Sequence, residues 1–562
     1  MSEFIMKTYE IKKQLYARLS GSRLTGRTAI LVFTILLIGA GCDTWRPEES
    51  VSNEHLKTGL DKIDTVRLAD HSVSPPVTIE QATEQIAQQV TEPNEARRTV
   101  TLSIEKVRAA ALANNLDMKV ELVSPSIAQR ILDEEQAKFE STIFGSTNYQ
   151  RSEGLGTGTV SKSQTGELGI EKPLPTGGEI QIGLPFSDDY SSGGLADAAA
   201  SVSYIQSLLR GAGTRINTQS IRIARHQWNI TSARTKLVAI HLLANADIAY
   251  WRLYAAHKEL EVRREQYKLA QDLLSHARKK VAAGSSPKIE IVRAEAGLAS
   301  RLEAVINTET AVQSRQRDIL SIMNQEDTPL EAAVDIVTET EPNPLGLELD
   351  DNQLVEQAMA NRMEMMELEQ LLTIDELNIE LARNALLPNL TLSYTYTARA
   401  QDGTLRSTFE DLPGNSFDGH SVGISAAIPF GNRAGKARVQ RARLEKIQDM
   451  SARDRYRQII RQDVYDAVSD LRRDWRRILA AKQSATAAYR NYMVEQTQFQ
   501  LGIRTSTDVL FSATNLAEAQ LSMIRASADY EITQINLARA TGTLLGHGQI
   551  LIASVDIDAR NP

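Results

Sequence analysis

Residues that commonly carry out chemistry are scattered through this sequence instead of being grouped at catalytic spacings. The eight histidines form neither the H-E-x-x-H pattern nor another metal-binding spacing. Gly154, Gly156 and Gly158 alternate as in a phosphate-binding loop, but they lie in a Ser/Thr-rich stretch that no helical pattern follows. The adjacent carboxylates Glu134 and Glu135 suit a solvated helix face. We therefore expect a protein that is not an enzyme, with no catalytic residue, metal or cofactor.

The single cysteine, Cys42, is the residue whose position predicts a modification. Six basic residues within positions 1–27 precede an uncharged, mostly apolar run at 28–41 that ends at this cysteine. This order is typical of a secretory signal peptide, and the run is too short to span a membrane comfortably. Residues 38–42, IGAGC, resemble a bacterial lipobox, in which Cys42 becomes the lipidated first residue of the mature chain. An ordinary signal peptide with an incidental cysteine is the alternative.

The composition favours long helices and excludes nucleic acid as a partner. Hydrophobic residues make up 42% of the chain but aromatic residues only 5%, which suits helices packed through Ala and Leu. The net charge is −8, and acidic and basic residues are interspersed without a basic block. Beyond residue 41 there is no apolar run of 18 residues, so a membrane crossing there would have to use strands.

The second half of the chain repeats the first, which indicates a two-fold internal repeat. Ala113-Asn114 recurs 247 residues later as Ala360-Asn361, whereas positions from about 224 to 299 recur 218 residues later. The first copy therefore holds about 29 extra residues. Alternating apolar residues around a Pro-Thr-Gly-Gly turn place this insertion near 160–190. Each copy is predicted to run helix, strand, loop, strand, long helix, long helix.

Two segments are predicted to be unusually long helices. Residues 216–281 and 436–501 contain neither proline nor glycine, and about 65 helical residues make a rod of roughly 100 Å. Apolar residues recur at steps of three and four, as in coiled-coil seams, and Trp251 and Trp475 are expected to be core residues of these seams. Shorter helices at 288–324 and 508–541 return along the rods. The chain is therefore predicted to form two helical hairpins with two equivalent tips.

The predicted strands are too few to close a membrane barrel within one chain. Residues 389–398 and 421–428 alternate between apolar and hydroxyl-bearing side chains over about the length that crosses a membrane, and weaker patterns lie at 144–149 and 202–209. A soluble, half-buried sheet shows the same alternation. If the strands span lipid, about four per chain cannot seal a barrel, because closed barrels begin at about eight strands. Several chains must then share one barrel. The insertion is expected to form either two further strands or an extracellular flap.

The chain resembles the TolC-like outer-membrane efflux family over roughly residues 100–546. The resemblance rests on the doubled plan, on LPNL at 387–390, IPFG at 428–431 and LLRG at 208–211, and most specifically on GIRTSTDVL at 502–510. It implies a mainly helical fold with membrane β-barrel strands: a homotrimer with one shared twelve-stranded barrel and a periplasmic α-barrel that tapers to a gate. The implied partners are a periplasmic adaptor (membrane fusion protein), an inner-membrane pump of RND or ABC type, and the lipid membrane.

The resemblance also implies roles for residues at the hairpin tips. Arg504 stands at the family's gate arginine, Asp508 at an inward-facing aspartate, and Glu290 where TolC has an aspartate. A bond from Arg504 to Glu290 or Asp508 is therefore expected to latch the hairpins. Phe511 replaces a second inward aspartate, which favours a hydrophobic constriction, while Thr505 and Asp508 also read as the capping box of a helix. The expected adaptor-binding residues are Gly284, Ser285, Gly502, Ile503, Arg504 and Thr505.

These expectations divide the chain and predict its role. The predicted segments are a signal peptide (1–41), a lipid-anchored tether (42–100), a first repeat (101–325), a second repeat (350–546) and a tail (547–562). The predicted function is a passive exit duct of a tripartite efflux or type I secretion-like export system, lipid-anchored in a Gram-negative outer membrane with a periplasmic extension. A non-conducting periplasmic coiled-coil lipoprotein is the alternative. The sequence does not indicate the cargo or the class of pump.

Overall fold

The computed structural model describes residues 98–547, apart from 154–159, 191–194, 331–333, 413, 415–416 and 502. The predicted signal peptide, Cys42 and nearly all of the predicted tether lie outside the described residues, as does the tail from residue 548 on. None of the helices within the described ranges is both long enough and apolar enough to cross a membrane.

The first half of the chain has the predicted order of elements, with two additional strands between the predicted pair. The two long helices that end this half confirm the predicted rod and its return helix to within a few residues. In chain order the elements are β1 (Arg98–Leu102), α1 (Ile104–Asn114), α2 (Leu116–Glu121), α3 (Ser124–Ala137), β2 (Thr142–Glu153), β3 (Val160–Pro173), β4 (Gly178–Asp189), β5 (Ala196–Ser207), α4 (Thr214–Asn217), α5 (Gln219–Ala282) and α6 (Ile289–Met323).

The second half again places two strands before two long helices, and its rod and return helix also agree with the predicted bounds. A short strand connects the two halves and was not predicted. In chain order the elements are β6 (Val334–Thr338), α7 (Asp351–Asn361), α8 (Met363–Asn384), β7 (Asn389–Asp402), α9 (Leu405–Asp411), β8 (Phe417–Ala427), α10 (Arg433–Gln500), α11 (Ser506–Ala540) and α12 (Leu544–His547).

One antiparallel sheet contains six strands in the order β2-β3-β4-β5-β7-β8. The sheet therefore has two strands more than the four principal strands predicted. The insertion near 160–190 forms β3 and β4, which pair with β2 on one side and with β5 on the other. β1 and β6 form a separate parallel pair that joins the start of the described chain to the connection between its halves.

The long helices pack through small side chains. α5 has 64 residues and α10 has 68, so each is a rod of about 100 Å. α6 returns along α5 and α11 returns along α10, while α11 also packs on α5. Fully buried alanines lie in these interfaces, including Ala239, Ala244, Ala517 and Ala526. Such residues let helix axes approach closely, which agrees with the low aromatic content of the sequence.

The large aromatic residues cluster where the short elements cover the rods. The Tyr250 hydroxyl lies 2.7 Å from the amide N of Thr340 and 3.3 Å from the carbonyl O of Leu102, so it connects α5 to the layer beside β1 and β6. Trp251 is buried edge-on against Tyr250. Trp475 packs on Tyr530, its ring close to the backbone of the chain before α7. Trp251 is a core residue, as predicted, and Trp475 is half-buried against the core.

A pair of carboxylates lies between α8 and α10. Asp375 is 8% exposed, and its Oδ2 atom has no hydrogen-bond partner. Burial, followed by the neighbouring charge of Asp449, raises the pKa of Asp375 from 3.8 to about 6. Folding therefore opposes ionisation of this group. Its contribution to stability is present below pH 3.8, falls as the pH rises to about 6, and is absent above that.

We expect Asp375→Asn to stabilise the protein at alkaline pH, because an amide carries no charge and can donate to Asp449. At pH 8 the gain in the free energy of unfolding should be up to about 3 kcal/mol, since one pKa unit corresponds to about 1.4 kcal/mol. Thermal unfolding in detergent at pH 5 and pH 8 measures it. The neighbouring Glu376, exposed and paired with Lys446, provides the control Glu376→Gln. An equal gain at both pH values would contradict the assignment.

Candidate functional site

The two helical hairpins end in short turns whose backbone is closed by local hydrogen bonds. Gly284 follows α5 with a positive φ of 70°, a conformation that favours glycine. The amide and hydroxyl of Ser285 both donate to the carbonyl of Lys280 at 2.9 Å. In the second turn, the amide of Ile503 donates to the carbonyl of Gln498. Gly502, expected at the adaptor-facing turn, lies outside the described residues.

The second turn leads into α11 through a capping box, as predicted. The amide and hydroxyl of Thr505 donate to Asp508 Oδ2 at 3.0 and 2.8 Å, and the amide of Asp508 donates back to the Thr505 hydroxyl at 3.3 Å. Two otherwise unpaired amides at the start of the helix are satisfied in this way. These bonds hold the pKa of Asp508 below its usual range. Asp508 is therefore anionic at neutral pH.

Arg504 does not make either of the bonds expected for it. Its Nε atom donates to Gln498 Oε1 at 3.0 Å and lies 3.1 Å from Glu495 Oε2. The Glu495 contact is close but poorly aligned, since that oxygen has no hydrogen bond that meets geometric criteria. Both partners belong to the last turns of α10, so Arg504 folds back on its own hairpin. Sequence reasoning did not identify Glu495 or Gln498, because helix periodicity does not reveal which way a turn residue points.

A different residue joins the two hairpins near their tips. The Ser506 hydroxyl donates to Glu290 Oε2 at 2.8 Å, and Glu290 also pairs with Arg293 on its own helix. The ammonium of Lys280, near the end of α5, lies 4.2 Å from the ring centre of Phe499. Glu290 is thus at the contact between hairpins, as expected, with Ser506 in the place predicted for Arg504.

Two of the predicted tip residues have large apolar side chains that project from the second hairpin tip. Ile503 is 69% exposed and Phe511 is 68% exposed. In a single chain this exposure has no compensating contact, so both side chains are available to a neighbouring molecule. This placement is compatible with the predicted constriction at Phe511 and with the predicted docking role of Ile503, and both roles stay predictions.

The sheet at the other end of the rods has two chemically different faces. Residues opposite each other in an antiparallel pair share a face. Tyr394 is opposite Val422 and Leu392 is opposite Ile424, which defines an apolar face. The alternate residues bear hydroxyls: Ser203 and Thr395, for example, hydrogen-bond across strands at 3.0 Å. Val422 and Ile424 are 71% and 70% exposed, so the apolar face at this edge is uncovered in the single chain.

Side chains that bind metals are not grouped in the described part of the chain. Within those residues no group of three or more His, Cys, Asp or Glu side chains is placed to hold an ion. The geometry instead consists of a two-faced sheet, long helical rods and paired hairpin tips.

Comparisons with known proteins agree with this geometry. Residues 354–543 match the model of a family described as "Outer membrane efflux protein". The outer membrane protein TolC of Vibrio cholerae is 22% identical over 310 residues, which cover 54% of this chain and 68% of that protein.

Solved structures share the fold at low sequence identity. A membrane protein from Pseudomonas aeruginosa superimposes with a TM-score of 0.62 at 16% identity, covering 78% of this chain and 93% of that one. The outer membrane channel CmeC of Campylobacter jejuni superimposes with a TM-score of 0.61 at 15% identity, covering 81% and 90%. The resemblance to the TolC-like family, stated from the sequence, is confirmed.

We expect Asp508→Ala to loosen the start of α11, because both bonds from Thr505 lose their acceptor. Hydrogen exchange of the amides in the first turn of α11 should become faster at neutral pH, while exchange at the start of α6 should not change. Thr507→Ala, at an exposed position outside the capping box, serves as the control. Unchanged exchange in the Asp508 variant would show that the box does not hold the turn.

Proposed function

We propose that this TolC-like protein is a passive exit duct in the outer membrane of a Gram-negative export system, built from three copies of the chain. The observation that carries the proposal is the sheet. It has an exposed apolar face, a hydroxyl-bearing opposite face, and edge strands β2 and β8 that each pair on one side only among the described residues. These are the features of an incomplete barrel around a water-filled lumen.

The open edges explain why identical copies are needed. In lipid, each unpaired backbone N–H or C=O group costs several kcal/mol, and β2 has 12 residues while β8 has 11. Because the sheet has an even number of alternating strands, β8 of one copy is antiparallel to β2 of the next. Copies related by rotation can therefore close a barrel without a break in the pattern. The choice of three copies rests on the family resemblance.

The helices provide the rest of the duct. We propose that the segments 101–325 and 350–546 act as two copies of one unit, with rods that extend about 100 Å into the periplasm. The tips, including Gly284, Ser285 and Ile503, would bind a periplasmic adaptor that connects to an inner-membrane pump of RND or ABC type. Cys42 would anchor the mature chain by lipid.

A non-conducting coiled-coil scaffold explains the rods but not the sheet. The scaffold does not account for an exposed apolar face at Val422 and Ile424, opposite a face of threonines and serines. A half-buried soluble sheet would cover that face with other elements of the chain. The described elements leave it open along β8, which favours the duct.

We expect the purified, detergent-solubilised oligomer to form ion-conducting channels in a planar bilayer. Voltage-clamped current in symmetric KCl measures this, with protein-free detergent as the blank. Cross-linking of the same sample should give a trimer. A sample that is trimeric but never conducts would support the scaffold, whereas a strictly monomeric sample would exclude both the shared barrel and the duct.

We also propose that Arg504, Asp508, Glu290 and Phe511 form the gate. Arg504→Ser should raise single-channel conductance, because it releases the turn from the end of α10. Asp508→Asn should do so by removing a charge, while the amide oxygen still accepts from Thr505. Arg490→Ser, at an exposed position farther up α10, is the matched control. Conductance equal to wild type in both tip variants would remove these residues from the gate.

A further inference from the structure

We propose that the inserted hairpin β3–β4 crosses the outer membrane as part of the barrel wall, so that each subunit contributes six strands and three subunits share eighteen. The duct mouth is then wider than the twelve-stranded barrel that the family resemblance implies, and it is lined by additional carboxylates. This inference rests on the proposed function, because it concerns the architecture of the same barrel.

The first support is the register, which continues the two faces of the sheet through the middle of the hairpin, between Gln164 and Lys172 of β3. Ile170 is opposite Ile182, Ile182 is opposite Val202, and Val202 is opposite Tyr396, so one apolar row runs from β3 to β7. A second apolar pair, Leu168 with Leu184, lies beside it. A shift of one residue in the register would reverse the faces of the hairpin. Nothing would hold a flap outside the membrane in the register that aligns its apolar side chains with those of the lipid-facing strands.

The second support is the length of the hairpin. β3 has 14 residues and pairs along the whole of β2, from Thr142 opposite Glu171 to Glu153 opposite Val160. β4 has 12 residues and pairs along most of β5. Transmembrane strands need about 9–11 residues. The inserted strands therefore match the height of the strands beside them.

The third support is where the hairpin turn lies. The amide of Gly213 donates to the carbonyl of Thr176 at 2.9 Å, and the amide of Ser207 donates to the carbonyl of Gly177 at 3.3 Å. A Cβ atom at Gly177 would lie 1.9 Å from the carbonyl O of Gly211. The turn is thus held against the junction where β5 leads into the long helix α5. The hairpin therefore extends over the full height of the sheet to its helical end.

The fourth support is packing that fits the hairpin into the sheet. A Cβ atom at Gly166 would lie 2.4 Å from the ring of Phe186, and one at Gly169 would lie 2.5 Å from the ring of Phe144. Each glycine is directly opposite the phenylalanine that covers it. Aromatic residues over cross-strand glycines pin register in curved sheets. The inserted strands are therefore built into the wall on both sides.

Six strands do not make the barrel too wide for the helices below it. The helices α3, α5, α8 and α10 pack side by side in that order, and at about 8–10 Å per helix they span about 36 Å. Strands about 4.8 Å apart and tilted by about 40° make six strands about 38 Å wide. Barrel diameter grows roughly linearly with strand number, so eighteen strands enclose about twice the cross-section of twelve.

The hairpin also changes the charge of the lumen. Its polar face carries Glu167, Glu171, Glu179 and Asp189, and no lysine or arginine of β3 or β4 lies on that face. In a trimer these carboxylates form rings, which favour the passage of cations over anions. The proposed mouth is therefore wide and acidic, suited to bulky neutral or cationic cargo.

Cysteine substitution in the full-length protein tests the topology. Glu167→Cys and Leu168→Cys are adjacent on opposite faces of β3, and Thr395→Cys and Tyr394→Cys form the matched pair on β7. Wild-type protein, with only Cys42, sets the labelling baseline. Each variant, confirmed to form the wild-type oligomer, is reconstituted in vesicles. It is then treated with a water-soluble thiol reagent or a lipid-soluble one.

The proposal expects both pairs to alternate. Glu167→Cys and Thr395→Cys should react with the water-soluble reagent. Leu168→Cys and Tyr394→Cys should react with it on the order of tenfold more slowly, because no water reaches the lipid face. The lipid-soluble reagent should give the reverse order. If the β7 pair alternates and both β3 cysteines react equally with the water-soluble reagent, the hairpin lies outside the membrane and only this inference falls. If the β7 pair does not alternate, the shared barrel itself is wrong.

Discussion

Backbone hydrogen bonding is the constraint on which the proposed assembly depends. Within the sheet, β3, β4, β5 and β7 each pair on both sides. Only β2 and β8 have an open edge among the described elements. In water such edges are tolerated, but in lipid their amide and carbonyl groups have no solvent partner. A single chain with an exposed apolar face therefore cannot be stable in the membrane by itself. When identical copies close the barrel, the backbone groups of β2 and β8 form hydrogen bonds between copies. The lipid-facing surface stays uncovered.

The same constraint limits how the fold can grow. An insertion into the barrel wall must add strands in pairs, because an odd number would place parallel edges together when copies meet. The hairpin between β2 and β5 meets this condition, and its apolar residues match the lipid-facing phase of both neighbours. The inserted hairpin adds no helix. Its turn at Gly177 contacts the junction of β5 with α5 and leads directly into β4. The wall can thus widen while the number of rods stays constant.

Local patterns in the sequence predicted the elements well, and side-chain partners poorly. Runs without glycine or proline predicted the long helices, and alternation of apolar and hydroxyl-bearing residues predicted the strands. Both patterns depend only on backbone periodicity. The alternation within 160–190 was visible, but its place in the sheet required the register with β2 and β5. Arg504 was assigned to Glu290 or Asp508, yet it bonds to Gln498 and approaches Glu495. A long side chain in a turn reaches several alternatives of similar energy, and periodicity does not choose between them.

The contacts along the rods suggest where such a duct would move. Near the middle, Arg108 holds the fully buried Asp247 through two bonds of 2.7 and 2.9 Å, and Tyr250 is buried beside it. Removing one partner of such a pair costs several kcal/mol, because it leaves a charge without compensation. At the tips, the links between the hairpins are single polar contacts, such as the hydrogen bond from Ser506 to Glu290, and one hydrogen bond to a charged group contributes about 1.5–3 kcal/mol. Segments that move are drawn from the least stable part of a structure. An adaptor that binds the tips would therefore need less energy to separate the hairpins there than at the buried middle, which keeps the rods in register.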